Sequence, residues 1–227
     1  MKKLLFLILL LSVFGFLLFA CSPSADSPDA ADKEVRAAAD TTTALVSDRE
    51  SLIQLMDQYL DALVRHDSAG LPLAKDVKLV ENAEITPIGK GLWENTTGPN
   101  MTEYKIYVAD PLLGQIGFMG LLEEKGKPVQ VGIRLKLVNG GITEIDHMIW
   151  RQIAEPMPEG LLKPRPGLVQ RLDSSERVSR EEMFRAANAY YDAIEQSDGN
   201  VAPFADECKR HEGGITAANN QEPVPED

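Results

Sequence analysis

The residue with the clearest capacity for chemistry is His147, in the segment GGITEIDHMIW (140–150). It alternates with Ile145 and Ile149, so in a β-strand it lies on the face that points to the interior. An imidazole in that position could act as a general base or hydrogen-bond a substrate. The alternative is a core histidine whose ring nitrogens are satisfied by a backbone carbonyl or a tyrosine.

A second candidate is Glu81, which shares strand parity with Val77 and Leu79 and is expected to point inward, at the mouth of a pocket. A buried carboxylate has a raised pKa and could pair with His147 as an acid–base couple. The residues favour another interpretation, in which Glu81 is a structural hydrogen-bond acceptor for a neighbouring turn.

Two aromatic residues complete the candidate pocket. Trp93 and Tyr104 have apolar bodies with polar tips and could line a ligand pocket with His147, although core packing is the commoner explanation for such residues. The chain has no nucleotide-binding, metalloprotease or serine-hydrolase motif, and its three histidines and two cysteines lack metal-site spacing. We therefore expect no metal and no cofactor. The net charge of −12 argues against nucleic acid as a partner.

The first 21 residues, MKKLLFLILLLSVFGFLLFAC, predict an export signal, because two lysines precede an apolar run that ends at a small residue. The stretch LFAC (18–21) resembles a bacterial lipobox. That resemblance implies removal of residues 1–20 and lipidation of Cys21, and Ser22 implies sorting to the outer membrane. An uncleaved transmembrane anchor is the alternative, although a span needs about 20 apolar residues.

Localisation and one partner follow from this leader. We expect a lipid-anchored protein of the bacterial cell envelope that faces the periplasm and contacts the membrane through lipidated Cys21, since two or three acyl chains anchor stably. Residues 21–47 are rich in Ser, Ala, Asp and Thr and predict a flexible tether.

Residues 48–154 predict one α+β domain. Apolar residues at three- and four-residue spacing indicate an amphipathic helix over 48–66. The period then changes to two, and the turns EKGKP and NGG join strands as hairpins. The expected fold is a curved antiparallel sheet packed on the N-terminal helix.

This order of elements resembles the nuclear transport factor two-like (SnoaL-like) superfamily, and more closely an uncharacterised bacterial and fungal family of secreted proteins within it. The resemblance implies a cone-shaped domain with an apolar pocket, and it implies no particular activity. It covers most of 77–151 and rests on the segments VENAE, GKGLWEN, YVADPLLGQIGFMG and VGIRLKLVNGGITEIDHMIWR.

The chain also repeats itself at an offset of 131 residues. The segment RESLIQLMDQYLDALVRHD (49–67) aligns without gaps with REEMFRAANAYYDAIEQSD (180–198), and Glu81 aligns with Glu212. We therefore predict a Pro/Gly linker over 155–178 and an incomplete second copy, a helix with one short strand, over 179–227.

Three functions are compatible with these features. The domain binds a small apolar ligand or self-associates, including as a homodimer; or it is an isomerase, dehydratase or cyclase that uses His147 with an acid; or it is a remnant of a two-copy protein. The predicted inner face carries one histidine and few acids, which favours binding over catalysis.

Overall fold

The structure, a computed structural model, describes residues 48–219. The predicted signal peptide (1–20), the tether (21–47) with Cys21, and residues 220–227 lie outside the described residues. Among the helices of 48–219, none is both long enough and apolar enough to span a membrane.

The domain begins with helix α1 (Arg49–Arg65), which agrees with the predicted helix to within one residue at each end. It starts where the Asp48 side chain accepts a hydrogen bond from the Ser51 N–H at 2.7 Å, and it ends where His66 adopts a left-handed conformation. One face of the helix is fully buried, at Leu52, Met56, Tyr59, Ala62 and Leu63.

A seven-stranded sheet packs against this face. Its strands are β1 (Leu73–Glu81), β2 (Glu84–Ile85), β3 (Thr96–Gly98), β4 (Lys105–Asp110), β5 (Gln115–Glu124), β6 (Lys127–Val138) and β7 (Gly141–Trp150). The order is β2-β1-β7-β6-β5-β3, with β4 also paired to β5. A one-turn helix, α2 (Leu92–Asn95), lies between β2 and β3. The predicted α+β class is confirmed.

The sheet is mixed rather than purely antiparallel, which corrects one detail of the expectation. Strands β1 and β7 pair in parallel, with Glu81 opposite His147. Strand β1 follows α1, whereas β7 is the last strand of the large sheet in the chain. No short turn joins the two strands, so none fixes their relative direction. Residue alternation within a strand carries no information about the direction of such a distant partner. Register shifts in β1–β7 and β6–β7 accompany the curl of the sheet.

The two predicted hairpin turns are present. Lys125 and Gly126 both have positive φ, as do Asn139 and Gly140, which is the backbone of a two-residue turn that matches the twist of the flanking strands. These turns place β5, β6 and β7 side by side, so their alternate residues form one continuous inner face.

Apolar residues are buried on both faces of the sheet. The inner face, with residues such as Ile133, Leu135 and Ile145, packs against α1 in the main core. On the outer face, a smaller cluster joins Tyr104, Ile106 and Leu121 to Leu161, which lies in the segment predicted as a linker.

The rest of the chain contains α3 (Pro166–Val169), α4 (Arg180–Gln196) and a two-stranded sheet of β8 (Arg210–Glu212) and β9 (Ile215–Ala218). The helix α4 is long, yet only Ala189 and Ala193 are buried on it. It therefore contributes little to the core of the first domain.

Candidate functional site: a buried Trp–Tyr–His–Glu network

The imidazole of His147 lies on the inner face of β7, as its parity predicts, with its side chain 0% exposed. Its Nε2 atom is 2.8 Å from the Tyr59 hydroxyl, and its Nδ1 atom is 3.5 Å from Oε2 of Glu81. The structure therefore brings together the two residues that were expected to form an acid–base couple, and it adds a tyrosine from α1.

The Tyr59 hydroxyl joins two buried rings. Trp93 Nε1 donates to it at 3.1 Å, and the two aromatic rings meet edge to face with centroids 5.4 Å apart. Burial raises the pKa of Tyr59 above its usual value, so the hydroxyl stays protonated.

Because the indole of Trp93 can only donate, the Tyr59 oxygen accepts from it. The assignment that also gives the other donors an acceptor has the Tyr59 O–H donating to Nε2 of His147 and the Nδ1–H facing the Glu81 carboxylate. In this arrangement every donor in the chain from Trp93 to Glu81 has an acceptor.

The Glu81 carboxylate ends the network. It accepts a hydrogen bond from the backbone N–H of Leu92 at 2.8 Å, and Arg151 lies 3.6 Å from its other oxygen. Burial raises the pKa of Glu81, but the hydrogen bonds from His147 and Leu92 and the charge of Arg151 outweigh that effect and lower it overall. The expected upward shift is therefore wrong, because the carboxylate is buried together with donors. Glu81 accepts a hydrogen bond from a neighbouring turn, which is the role that the sequence favoured for it.

Gly91 explains how the carboxylate reaches the turn before α2. Its φ is 63°, and a Cβ at this position would lie 2.5 Å from Oε2 of Glu81. Only glycine leaves room for the carboxylate here and tolerates this backbone conformation. Gly91, the second glycine of GKGLW, is thus a structural requirement of the Glu81 contact.

Sequence reasoning missed three residues of the site. Tyr59 looked like one of several periodic helix positions. Asn82, with φ 46°, uses its side chain to bond both backbone groups of Ile149, at 2.8 and 3.3 Å. Arg151 makes two hydrogen bonds to Glu124, at 2.5 and 2.8 Å. In the sequence, the only indication of these contacts was that the segments VEN and MIWR end in polar residues, Asn82 and Arg151.

The predicted ligand pocket combined Trp93, Tyr104 and His147, and the structure does not bring Tyr104 to the other two. Tyr104 lies on the outer face of the sheet, where its hydroxyl is 3.1 Å from the Met119 sulfur, whereas His147 lies on the inner face and Trp93 of α2 packs in the main core. Tyr104 comes two residues before Ile106 of β4, so its side chain lies on the same side of the chain as that of Ile106, which faces outward.

The network has the composition of an acid–base site but no access. Trp93, Tyr59 and His147 are each at most 1% exposed, so no solute can touch the imidazole in this conformation. An open depression of about 120 Å³ lies elsewhere, beside α1 at Asp61, Arg65 and Leu71. Within the described part of the chain, no cluster of His, Cys, Asp and Glu could hold a metal ion.

A family model described as a domain of unknown function (DUF8021) matches residues 46–149 and 176–226. The chain belongs to this family. The DUF8021 match includes all four residues of the buried network and, separately, the segment that contains α4, β8 and β9. No curated protein matches the chain significantly.

Solved structures with similarity to this DUF8021 protein include NTF2-like proteins. A Kribbella flavida protein provisionally named a ketosteroid isomerase is 18% identical, with a TM-score of 0.37, over 59% of this chain and 98% of its own. An NTF2-like protein of unknown function from Burkholderia xenovorans is 12% identical, with a TM-score of 0.35, over 55% and 97%. The designed NTF2-fold protein NT-9 is 17% identical, with a TM-score of 0.33, over 44% and 85%.

Replacing Tyr59 with phenylalanine should destabilise the domain by about 1–3 kcal/mol, because the Trp93 N–H and His147 Nε2 lose their partner while they stay buried. The matched control is Tyr104→Phe, whose hydroxyl donates to the weak sulfur acceptor of Met119 and lies near Gln130 outside the network, so its loss should cost less than that of Tyr59. Urea unfolding of both variants measures the difference. Equal losses would show that the Tyr59 hydroxyl bridges nothing of importance.

Glu81 should also contribute to the acid sensitivity of the fold. Because its pKa is lower in the folded than in the unfolded chain, its stabilisation is present above the unfolded value and is lost as the pH falls through the folded value. Stability measured from pH 7 down to pH 3 should therefore fall less steeply in Glu81→Gln than in the wild type. Parallel curves would contradict a lowered pKa at this carboxylate.

Proposed function

We propose that this DUF8021 protein is a lipid-anchored component of the bacterial cell envelope that works by self-association through its domain surface rather than by catalysis. The observation that carries the proposal is the complete burial of His147, whose two ring nitrogens face the Tyr59 hydroxyl and the Glu81 carboxylate. An interior of this kind stabilises a fold and leaves recognition to the exterior.

The outer face of the sheet offers the surface for self-association. Four apolar side chains, here called the outer patch, are 41–67% exposed there: Val108, Met119, Met148 and Trp150. Met119 and Met148 lie on either side of Gly132, and Val108 lies opposite Gly117. The glycines flatten the face between the apolar side chains, which suits close approach of a second sheet.

The exposed outer patch supports a homodimer in which two outer patches meet. A small apolar ligand at the same patch is the competing possibility. The two differ in mass, since self-association doubles the mass of the particle and a ligand adds only a few hundred daltons.

Native mass spectrometry of residues 22–227 tests this proposal. We expect a dimer for the wild type and a monomer for Met148→Glu, because the substitution buries an unpaired charge at the contact. The control is Ile85→Glu, which places the same charge on β2, where Ile85 is 87% exposed and outside the outer patch. A monomeric wild type with a bound apolar molecule would support the ligand instead.

The anchor is tested separately in the full chain. Replacing Cys21 with serine removes the acceptor for lipid and should move the protein from the membrane fraction to the soluble fraction, since the acyl chains supply the binding free energy. Continued membrane association of an uncleaved Cys21→Ser chain would support a transmembrane anchor.

An enzyme of the isomerase, dehydratase or cyclase kind is the second candidate, and the 3.5 Å contact between His147 and Glu81 is the observation that favours it. Such an enzyme would need α1 to move away from the sheet, because Tyr59 covers the imidazole. The sealed network makes this the weaker candidate.

A further inference from the structure

The two repeats of the sequence adopt the same local structure. Helices α1 and α4 both have 17 residues, and their first and last residues correspond at the offset of 131. Each is capped by a side chain that accepts from the N–H three residues later, and each ends at a left-handed residue, His66 or Ser197.

The correspondence continues into the hairpins. In β1–β2, Glu81 pairs with Glu84, and in β8–β9, Glu212 pairs with Ile215 at the same offset. The two residues between the strands have positive φ in both hairpins. The segment from α4 to β9 is therefore a structural repeat of the segment from α1 to β2.

The surroundings of the two repeats differ. Leu52 and Leu63 of α1 are 0% exposed because the inner face of the sheet covers them, whereas their equivalents Met183 and Ile194 are 53% and 59% exposed. The face of α4 that corresponds to the core-facing side of α1 is thus largely open to solvent.

The strand β8 also has an open edge. In the first repeat, β1 lies between β2 and β7, and it pairs with β7 in parallel. In the described part of the chain, β8 pairs with β9 alone. The edge of β8 that corresponds to the β7 side of β1 is a row of backbone groups available for another strand.

Polar groups indicate what that strand would carry. In the first repeat, Glu81 faces the His147 imidazole and the Arg151 guanidinium, which are four residues apart at the end of β7. The equivalent of Glu81 is Glu212, which is exposed and forms an ion pair with Arg210 of its own strand, and the equivalent of Tyr59 is Tyr190. A strand with the same histidine and arginine would complement the negative charge of Glu212.

From these observations we infer that residues 179–219 are an acceptor for a sheet of the DUF8021 type, which packs across α4 and adds to the open edge of β8. The occupant is a polypeptide that carries the equivalents of β3–β7, with a histidine and an arginine facing Tyr190 and Glu212. It completes a second domain that repeats the core of the first.

A second copy of this chain is a poorer occupant, because its sheet is already covered by its own α1. At the position of buried Met56 in α1, α4 has Ala187, so α4 would fill the same space less well and would not displace α1.

The inference is tested by supplying the sheet in a defined register. Residues 22–214 are followed directly by a second copy of residues 84–154, since Gly214 corresponds to Ala83. A single reporter thiol is introduced by Ile194→Cys in a Cys208→Ser background, and its rate of labelling with a maleimide is compared in the extended chain and in the 22–227 chain.

We expect labelling of the Ile194→Cys thiol to slow by about tenfold or more in the extended chain, because it then requires opening of a packed helix. The matched control is Asp192→Cys, whose equivalent Asp61 is exposed on α1, and its labelling should be unchanged. Amide exchange of α4 in the same two chains gives a second measurement that needs no substitution.

Every other result overturns the inference. Unchanged labelling of Ile194→Cys and unchanged exchange of α4 would show that the repeat does not accept the sheet, whether the added segment stays unfolded or pairs with α1. Protection of the Ile194→Cys thiol that rises with protein concentration in the 22–227 chain would instead identify a second copy as the occupant.

Discussion

The structure depends on the satisfaction of four polar groups inside an apolar core. Trp93, Tyr59, His147 and Glu81 come from α2, α1, β7 and β1, and each would be costly to bury alone. Linked in one chain, they fix the helix to the sheet in one orientation, because any rotation of α1 would leave two donors or acceptors without partners. Specificity of packing, more than stability, is what such a network supplies.

The same requirement accounts for features that look unrelated in the sequence. Gly91 has no side chain because the Glu81 carboxylate takes the space of a Cβ, and Asn82 closes the β1–β7 contact by bonding the backbone of Ile149. Arg151 supplies charge to Glu81 and Glu124, both of which are shielded from water. The free-energy cost of burying the Glu81 carboxylate is therefore offset by several contacts, which come from the turn before α2, the end of β7 and the Arg151 ion pair.

Local periodicity was enough to predict α1, the β5–β6–β7 hairpins and the inward direction of His147, because each depends on neighbours a few residues away. It could not predict that β1 pairs with β7 in parallel, since that contact spans 66 residues between Glu81 and His147. The role of Tyr59 could not be predicted, because a tyrosine on an apolar helix face also fits core packing. Only its distances to His147 and Trp93 show that its hydroxyl connects the two side chains. The direction of the Glu81 pKa needed the Leu92 N–H and Arg151, neither of which its own strand indicates.

The repeat separates what a helix sequence determines from what its surroundings determine. α1 and α4 share length, caps and left-handed ends, so these follow from local sequence. Burial does not, because Leu63 is covered and its equivalent Ile194 is 59% exposed. The difference lies in the sheet, which is present beside α1 and not beside α4 in the described residues. The face of α4 that carries Met183, Tyr190 and Ile194 has the apolar pattern of a helix that packs against a sheet, and large apolar side chains grouped on an exposed helix face are the pattern expected of an interaction surface.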